Sequence, residues 1–128
     1  MRYLGIDYGK KRVGLALSDE TGKVAFPLAV LSNDENLIRA FEKICKEKGA
    51  GEIVIGESRD LSGKPNLIAA AIEKFKRELA ASLGLPVHYE PEFWTSVQAE
   101  RWQGKTNKLD SSAAAIILQS FLDRKKLD

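Results

Sequence analysis

Three residues, Gly9, Lys10 and Lys11, separate the first two strand-like segments of this chain, and that short link constrains its fold more than any other feature. Arg2 to Tyr8 is a short apolar segment, and Arg12 to Ser18 alternates Val13, Leu15 and Leu17 with smaller residues, the two-residue period of a half-buried strand. A parallel pair needs a crossover of about a dozen residues or more, so these strands must lie antiparallel. Asp19 to Lys23 carries turn chemistry around Gly22 and leads into a third strand at about residues 24–31. The chain therefore opens as an antiparallel meander. A flavodoxin-like parallel sheet is excluded, because it needs a helix between the first two strands.

Beyond the meander the apolar period changes. Ser32 and Glu35 have the S-x-x-E spacing of a capping box, which predicts a helix opening at Ser32, burying Leu37, Ile38, Phe41, Ile44 and Cys45, and stopping at Gly49. On that buried face Cys45 reads as a small hydrophobe. A short strand at 52–56 and a polar loop at 58–64 follow. A second helix is predicted from Pro65 to Leu83, with Ile68, Ile72, Phe75 and Leu79 on one face and Gly84 just past its end. Residues 86–90 form the last strand. Thr95 and Gln98 make another capping box, for a helix broken at Gly104, and Asp110 caps a final helix with the stripe Ala114, Ile117, Leu118, Phe121 and Leu122.

The order β-β-β-α-β-α-β-α-α describes an α/β domain with a mixed five-stranded sheet, three antiparallel strands and then α/β crossovers, and helices on its faces. This is the ribonuclease H-like arrangement. A chain of 128 residues, 44% hydrophobic and 30% charged, suits a single domain over 1–128 that buries its own core. One cysteine allows no internal disulfide, no apolar run approaches the roughly 20 residues of a membrane span, and no charged-then-apolar leader opens the chain. A cytoplasmic protein without membrane partners is expected. The net charge of +2 permits nucleic-acid binding without arguing for it.

Asp7 sits within the apolar run Tyr3-Leu4-Gly5-Ile6-Asp7-Tyr8-Gly9, where a carboxylate is costly to desolvate and needs a partner, either a metal ion or hydrogen bonds from the following turn. Phosphodiester hydrolysis with two divalent ions needs acids converging from several elements. In the fold expected here, the ends of the fourth and fifth strands and the start of the last helix approach the first strand. Glu57, Glu90 with Glu92, and Asp110 stand at those places.

The opening stretch Gly5-Ile6-Asp7-Tyr8-Gly9-Lys10-Lys11-Arg12-Val13-Gly14-Leu15-Ala16-Leu17-Ser18-Asp19, and Lys108-Leu109-Asp110 leading into the helix from Ala113 to Asp123, resemble the YqgF/RuvX family over nearly the whole chain. Members of that family are small relatives of the RuvC Holliday-junction resolvases, described as junction resolvases and as pre-16S rRNA nucleases. The resemblance implies a Mg²⁺- or Mn²⁺-dependent endonuclease in which Asp7 and Asp110 match the first and last acids.

The middle of the site departs from the family pattern. An Asp-Glu-Arg motif and two hydroxyl residues usually follow the last strand, whereas this chain has Pro91-Glu92-Phe93-Trp94-Thr95-Ser96, keeping Glu92, Thr95 and Ser96. Where the family usually reads Gly-Leu-Pro, Gly56 is followed by Glu57 and Ser58, near the second acid of the larger RuvC enzymes. Glu57 and Glu92 are thus competing second carboxylates. Lys10, Lys11 and Arg12 form a cationic turn that could orient phosphates, Arg59, Lys64 and Thr95 could add to it, and Trp94 could stack on a base or pack internally. Trp102 and His88 read as structural.

The expected partner is nucleic acid, either an RNA precursor or branched DNA, bound by a monomer or a homodimer. Two rivals remain: a non-catalytic nucleic-acid- or ribosome-binding module of the same fold, and an actin-like or sugar-kinase ATP-binding half, against which the single-domain length argues.

Overall fold

In a computed structural model of the chain, residues 1–58, 69–92 and 109–126 are described, apart from the side chains of Ser58, Glu92, Leu109, Asp110 and Ser111. The elements are β1 (Arg2–Tyr8), β2 (Arg12–Ser18), β3 (Ala25–Ser32), α1 (Leu37–Lys48), β4 (Ala50–Ser58), α2 (Ala69–Leu83), β5 (Val87–Glu92) and α3 (Leu109–Lys126). They build the mixed five-stranded sheet that the sequence predicts, in the order β3-β2-β1-β4-β5. β2 is antiparallel to both β1 and β3, while β1–β4 and β4–β5 are parallel. The first strand is therefore central, and the two crossovers carry the chain from it toward β5.

Strand alternation divides the core into two layers. Leu4, Ile6, Leu15, Ile53 and Ile55 point to one face, where Leu37, Phe41 and Cys45 of α1 and Ile72, Phe75 and Leu79 of α2 cover them. Tyr3, Ala16 and Val54 point to the other, under Ala114, Ile117, Leu118 and Leu122 of α3. The small residues of that second layer let α3 lie close to the sheet. A Cβ on Gly5 would come within 2.7 Å of Leu118 Cβ and 3.1 Å of the Ala114 carbonyl oxygen, so the β1–α3 approach requires glycine there.

Several element ends differ from the sequence expectation. Ser32 does not cap α1; it remains in β3, paired with Arg12, because the antiparallel ladder satisfies its backbone. The helix starts at Leu37 after Asn36, whose side chain makes no capping bond. Asp34 organises the entry instead: its carboxylate accepts the Asn36 N–H at 2.9 Å and its carbonyl accepts the Leu37 N–H at 3.1 Å. Gly49 and Gly84 follow their helices in the left-handed conformation as anticipated, with φ of 68° and 67°.

β4 and β5 extend past their expected ends to Ser58 and Glu92, and Asp110 lies inside the first turn of α3 rather than before it. The expected start of α2 at Pro65 and the helix after Thr95 lie outside the described residues. Asp19 locks the β2–β3 turn, accepting the Thr21 hydroxyl and the N–H groups of Lys23 and Val24. Those donors hold its carboxyl well below the usual carboxylate range.

Candidate active site

Asp7 follows Tyr3 and Gly5 in the alternation of β1, which puts it on the α3 face near the carboxyl end of the central strand, half-buried. Tyr3 meets Phe121 and Lys125 of α3, while Gly5 meets Leu118 and Ala114. Two residues of strand and four of helix advance by about the same 6–7 Å. Continuing that progression, the first turn of α3, which contains Asp110, lies at the end of the sheet where Asp7 stands. The first turn of α3 thus lies over the face and toward the end of the sheet where Asp7 stands.

The competing second acids separate by parity. Glu57 continues Ile53 and Ile55 toward α1 and α2, and its charge acts on Tyr89, whose hydroxyl donates to Glu73 on α2 at 2.6 Å. Burial first, and then the Glu73 carboxylate, push that phenol well above its usual range. Gly56 takes the place beside Asp7, one step beyond the paired residues Ile6 and Ile55. On β5, His88 and Glu90 face α3, since His88 stacks on Phe121 at 5.2 Å and Glu90 accepts the Ser120 hydroxyl at 2.8 Å. Glu92 stands two residues beyond Glu90 on β5 and pairs in register with Ser58.

Glu90 has a role that the sequence did not reveal. It is 5% exposed, and Oε1 lies 2.6 Å from Arg124 Nη2, an ion pair without hydrogen-bond alignment. Together with Ser120 this fastens α3 to β5. The signal was available in principle, since Ser120 and Arg124 are four apart on one helix face, but their shared partner comes from another element. His88 Nε2 lies 2.7 Å from Glu52 Oε1.

Lys10 and Lys11 are exposed in the turn between β1 and β2, and exposed Arg12 opens β2. A Cβ on Gly9 would stand 2.6 Å from the Arg12 carbonyl oxygen, so the turn closes too tightly for any other residue. Arg59, Lys64, Trp94, Thr95 and Trp102 lie outside the described residues. Among the described side chains, which include neither Glu92 nor Asp110, no three His, Cys, Asp or Glu groups gather to hold a metal. Asp7, Glu92 and Asp110 offer carboxylate oxygens alone, a donor set that fits a hard divalent cation.

A central strand bearing an acid, antiparallel β2 and β3 beside it, parallel β4 and β5 on its other side and a terminal helix over the acid's face define a RuvC-like domain of the ribonuclease H-like fold. RuvC of Thermus thermophilus in complex with a Holliday junction substrate superposes with a TM-score of 0.60 at 17% identity, covering 98% of this chain and 96% of that one. The fowlpox virus resolvase bound to Holliday junction DNA gives 0.62 at 15% identity, covering 98% and 99%.

The chain belongs to the RuvX family, described as Holliday junction resolvase, which matches residues 1–124. Relatives from Microcystis aeruginosa (36% identity, 96% of this chain and 92% of the relative) and Moorella thermoacetica (36%, 97% and 96%) both carry the name "Putative pre-16S rRNA nuclease". Among the described residues no helix is long and apolar enough to cross a membrane.

Proposed function

We propose that this protein is a divalent-metal-dependent endonuclease acting on structured nucleic acid in the cytoplasm. Asp7, Glu92 and Asp110 would hold Mg²⁺ or Mn²⁺. The observation carrying this reading is the shared face and end of Asp7 and α3's first turn, with the cationic turn next in sequence. Glu92 is preferred over Glu57 because its position on β5 has the parity of His88 and Glu90, which face α3, whereas Glu57 follows Ile53 and Ile55. The relatives' name favours an RNA precursor as substrate over a branched DNA.

When bound, the cation supplies Lewis-acid stabilisation of charge developing on the phosphate oxygens. The chain's own groups do the rest. Lys10, Lys11 and Arg12 draw the phosphate backbone to the end of β1 and orient it. The three carboxylates would hold the cation, and a carboxylate oxygen left over would accept a hydrogen bond from the attacking water and direct it at phosphorus. Arg59, Lys64 and Thr95 are proposed to extend the phosphate contacts from the segments that follow β4 and β5.

The test incubates the full chain with a labelled pre-16S rRNA 5′ fragment, and in parallel with a four-way DNA junction, in Mg²⁺, in EDTA and as Asp7→Asn. Cleavage of either substrate in Mg²⁺ is expected, lost in EDTA and in D7N while far-UV circular dichroism is unchanged. Losing even an outer-shell partner of a metal ligand costs about 10–100-fold, so loss of Asp7 costs at least that. Cleavage by D7N at the wild-type rate, or undiminished in EDTA, would falsify the reading. Binding of both probes without cleavage would leave a recognition module in its place.

A further inference from the structure

We propose that Asn33 is a positioning residue for nucleic-acid binding, holding the turn from Gly9 to Arg12 in the shape that presents Lys10 and Lys11 beside Asp7. The inference rests on the nuclease reading above. Asn33 follows the last residue of β3, on the far side of β2 from β1. Its side chain nevertheless reaches the β1–β2 turn: Nδ2 donates to the Gly9 carbonyl at 2.7 Å, and its backbone N–H donates to the Lys11 carbonyl at 2.9 Å. These bonds bracket Lys10. The segment after Asn33 is itself fastened to the start of α1, where Asp34 accepts the Asn36 and Leu37 N–H groups. The turn is thereby tied to α1 as well as to its own two strands.

This tie has consequences for the cations. A short turn carrying consecutive lysines suffers mutual repulsion and, unfastened, samples many shapes, so ordering it on a phosphate would cost entropy at the moment of binding. Asn33 meets that cost during folding. A trans peptide also points its C=O and N–H to opposite sides, so a Gly9 carbonyl held toward Asn33 turns the Lys10 N–H away from it. Closure at Gly9, where a Cβ would lie 2.6 Å from the Arg12 carbonyl oxygen, leaves the turn little freedom beyond what Asn33 fixes. Asparagine suits the task because its amide is a donor without charge; an aspartate there would set a carboxylate against the Gly9 carbonyl.

The experiment measures binding of a labelled RNA hairpin with a single-stranded 5′ extension, and of a four-way DNA junction, by fluorescence anisotropy over a series of KCl concentrations. It uses the wild type, Asn33→Ala, Asn33→Asp and Lys10→Gln/Lys11→Gln, with kcat, KM and Tm recorded for each. Both Asn33 variants are expected to weaken binding about three- to tenfold and to lower the slope of log Kd against log salt by about one, as for one lost phosphate contact. Their effect should fall on KM while kcat at saturation and Tm are retained. N33A added to K10Q/K11Q should bring no further loss, since it acts through those lysines.

Wild-type affinity and slope in N33A, additive losses in the triple variant, or a large fall in Tm in both Asn33 variants would each overturn the inference and leave the nuclease reading standing. No salt-dependent binding by the wild type would remove the nuclease reading, and this inference with it.

Discussion

Which way a side chain leaves its strand decides whether an acid can serve the reaction, and the parity of β4 and β5 makes that choice testable. Glu92→Gln is expected to lower kcat at saturating Mg²⁺ by at least about 10–100-fold, the range seen on losing metal-site partners. Glu57→Gln, on the face of Ile53 and Ile55, should cleave near the wild-type rate. The reverse pattern in the same assay would reassign the second carboxylate to β4. Cys45, on the other hand, takes no part in chemistry. Burial pushes its thiol from an ordinary 9.0 up to about 11, so at pH 8.5 the native protein should resist iodoacetamide and react once unfolded in urea. Because the folded value is the higher one, the stability linked to this thiol is complete below pH 9.0 and lost as pH rises through about 11. Equal labelling of folded and unfolded protein would contradict this burial.

Among the elements, α3 joins the core to the site. Ala114 and Leu118 rest on Gly5, and the Glu90 contacts with Ser120 and Arg124 anchor it to β5. Gly5→Ala puts a methyl group 2.7 Å from Leu118 Cβ, and overpacking of that kind typically costs about 1–3 kcal/mol. Urea unfolding should show the loss, and cleavage should fall as well, because displacing α3 moves Asp110 relative to Asp7. Retained activity with reduced stability would show that the helix start is positioned independently of its seat on β1. The helices themselves were largely legible in sequence, since Phe41, Cys45, Ile72, Phe75, Leu79, Ala114 and Leu118 repeat at helical spacing and are all buried. The start of α1 was not. Ser32 carries a valid local capping signal, but pairing with Arg12 across the sheet outcompetes it.

At the scale of the whole molecule, a metal gripped by acids from β1, β5 and α3 would tie distant parts of the chain together, so cation binding must appear as stability. Saturating Mg²⁺ at about 100 times its Kd stabilises by about 2.7 kcal/mol, which raises the Tm of a domain this size by several degrees. D7N should lose most of that rise, and so should the wild type at a pH low enough to protonate its carboxylates. A Tm in the wild type that ignores Mg²⁺ would argue against the shared site.

The sequence by itself determined the meander, because a three-residue link forbids a crossover, and it determined the two-layer core, because apolar periods of two and of three to four residues are local properties of the chain. It also marked Asp7 as an acid in an apolar strand. Tertiary structure alone decided that Asp7 and Glu57 take opposite faces of the sheet, that Glu90 fastens α3, and that Asn33 reaches across to Gly9. Each of these depends on the register between segments far apart in sequence, and a shift of one residue in that register would send every side chain of the strand to the opposite face.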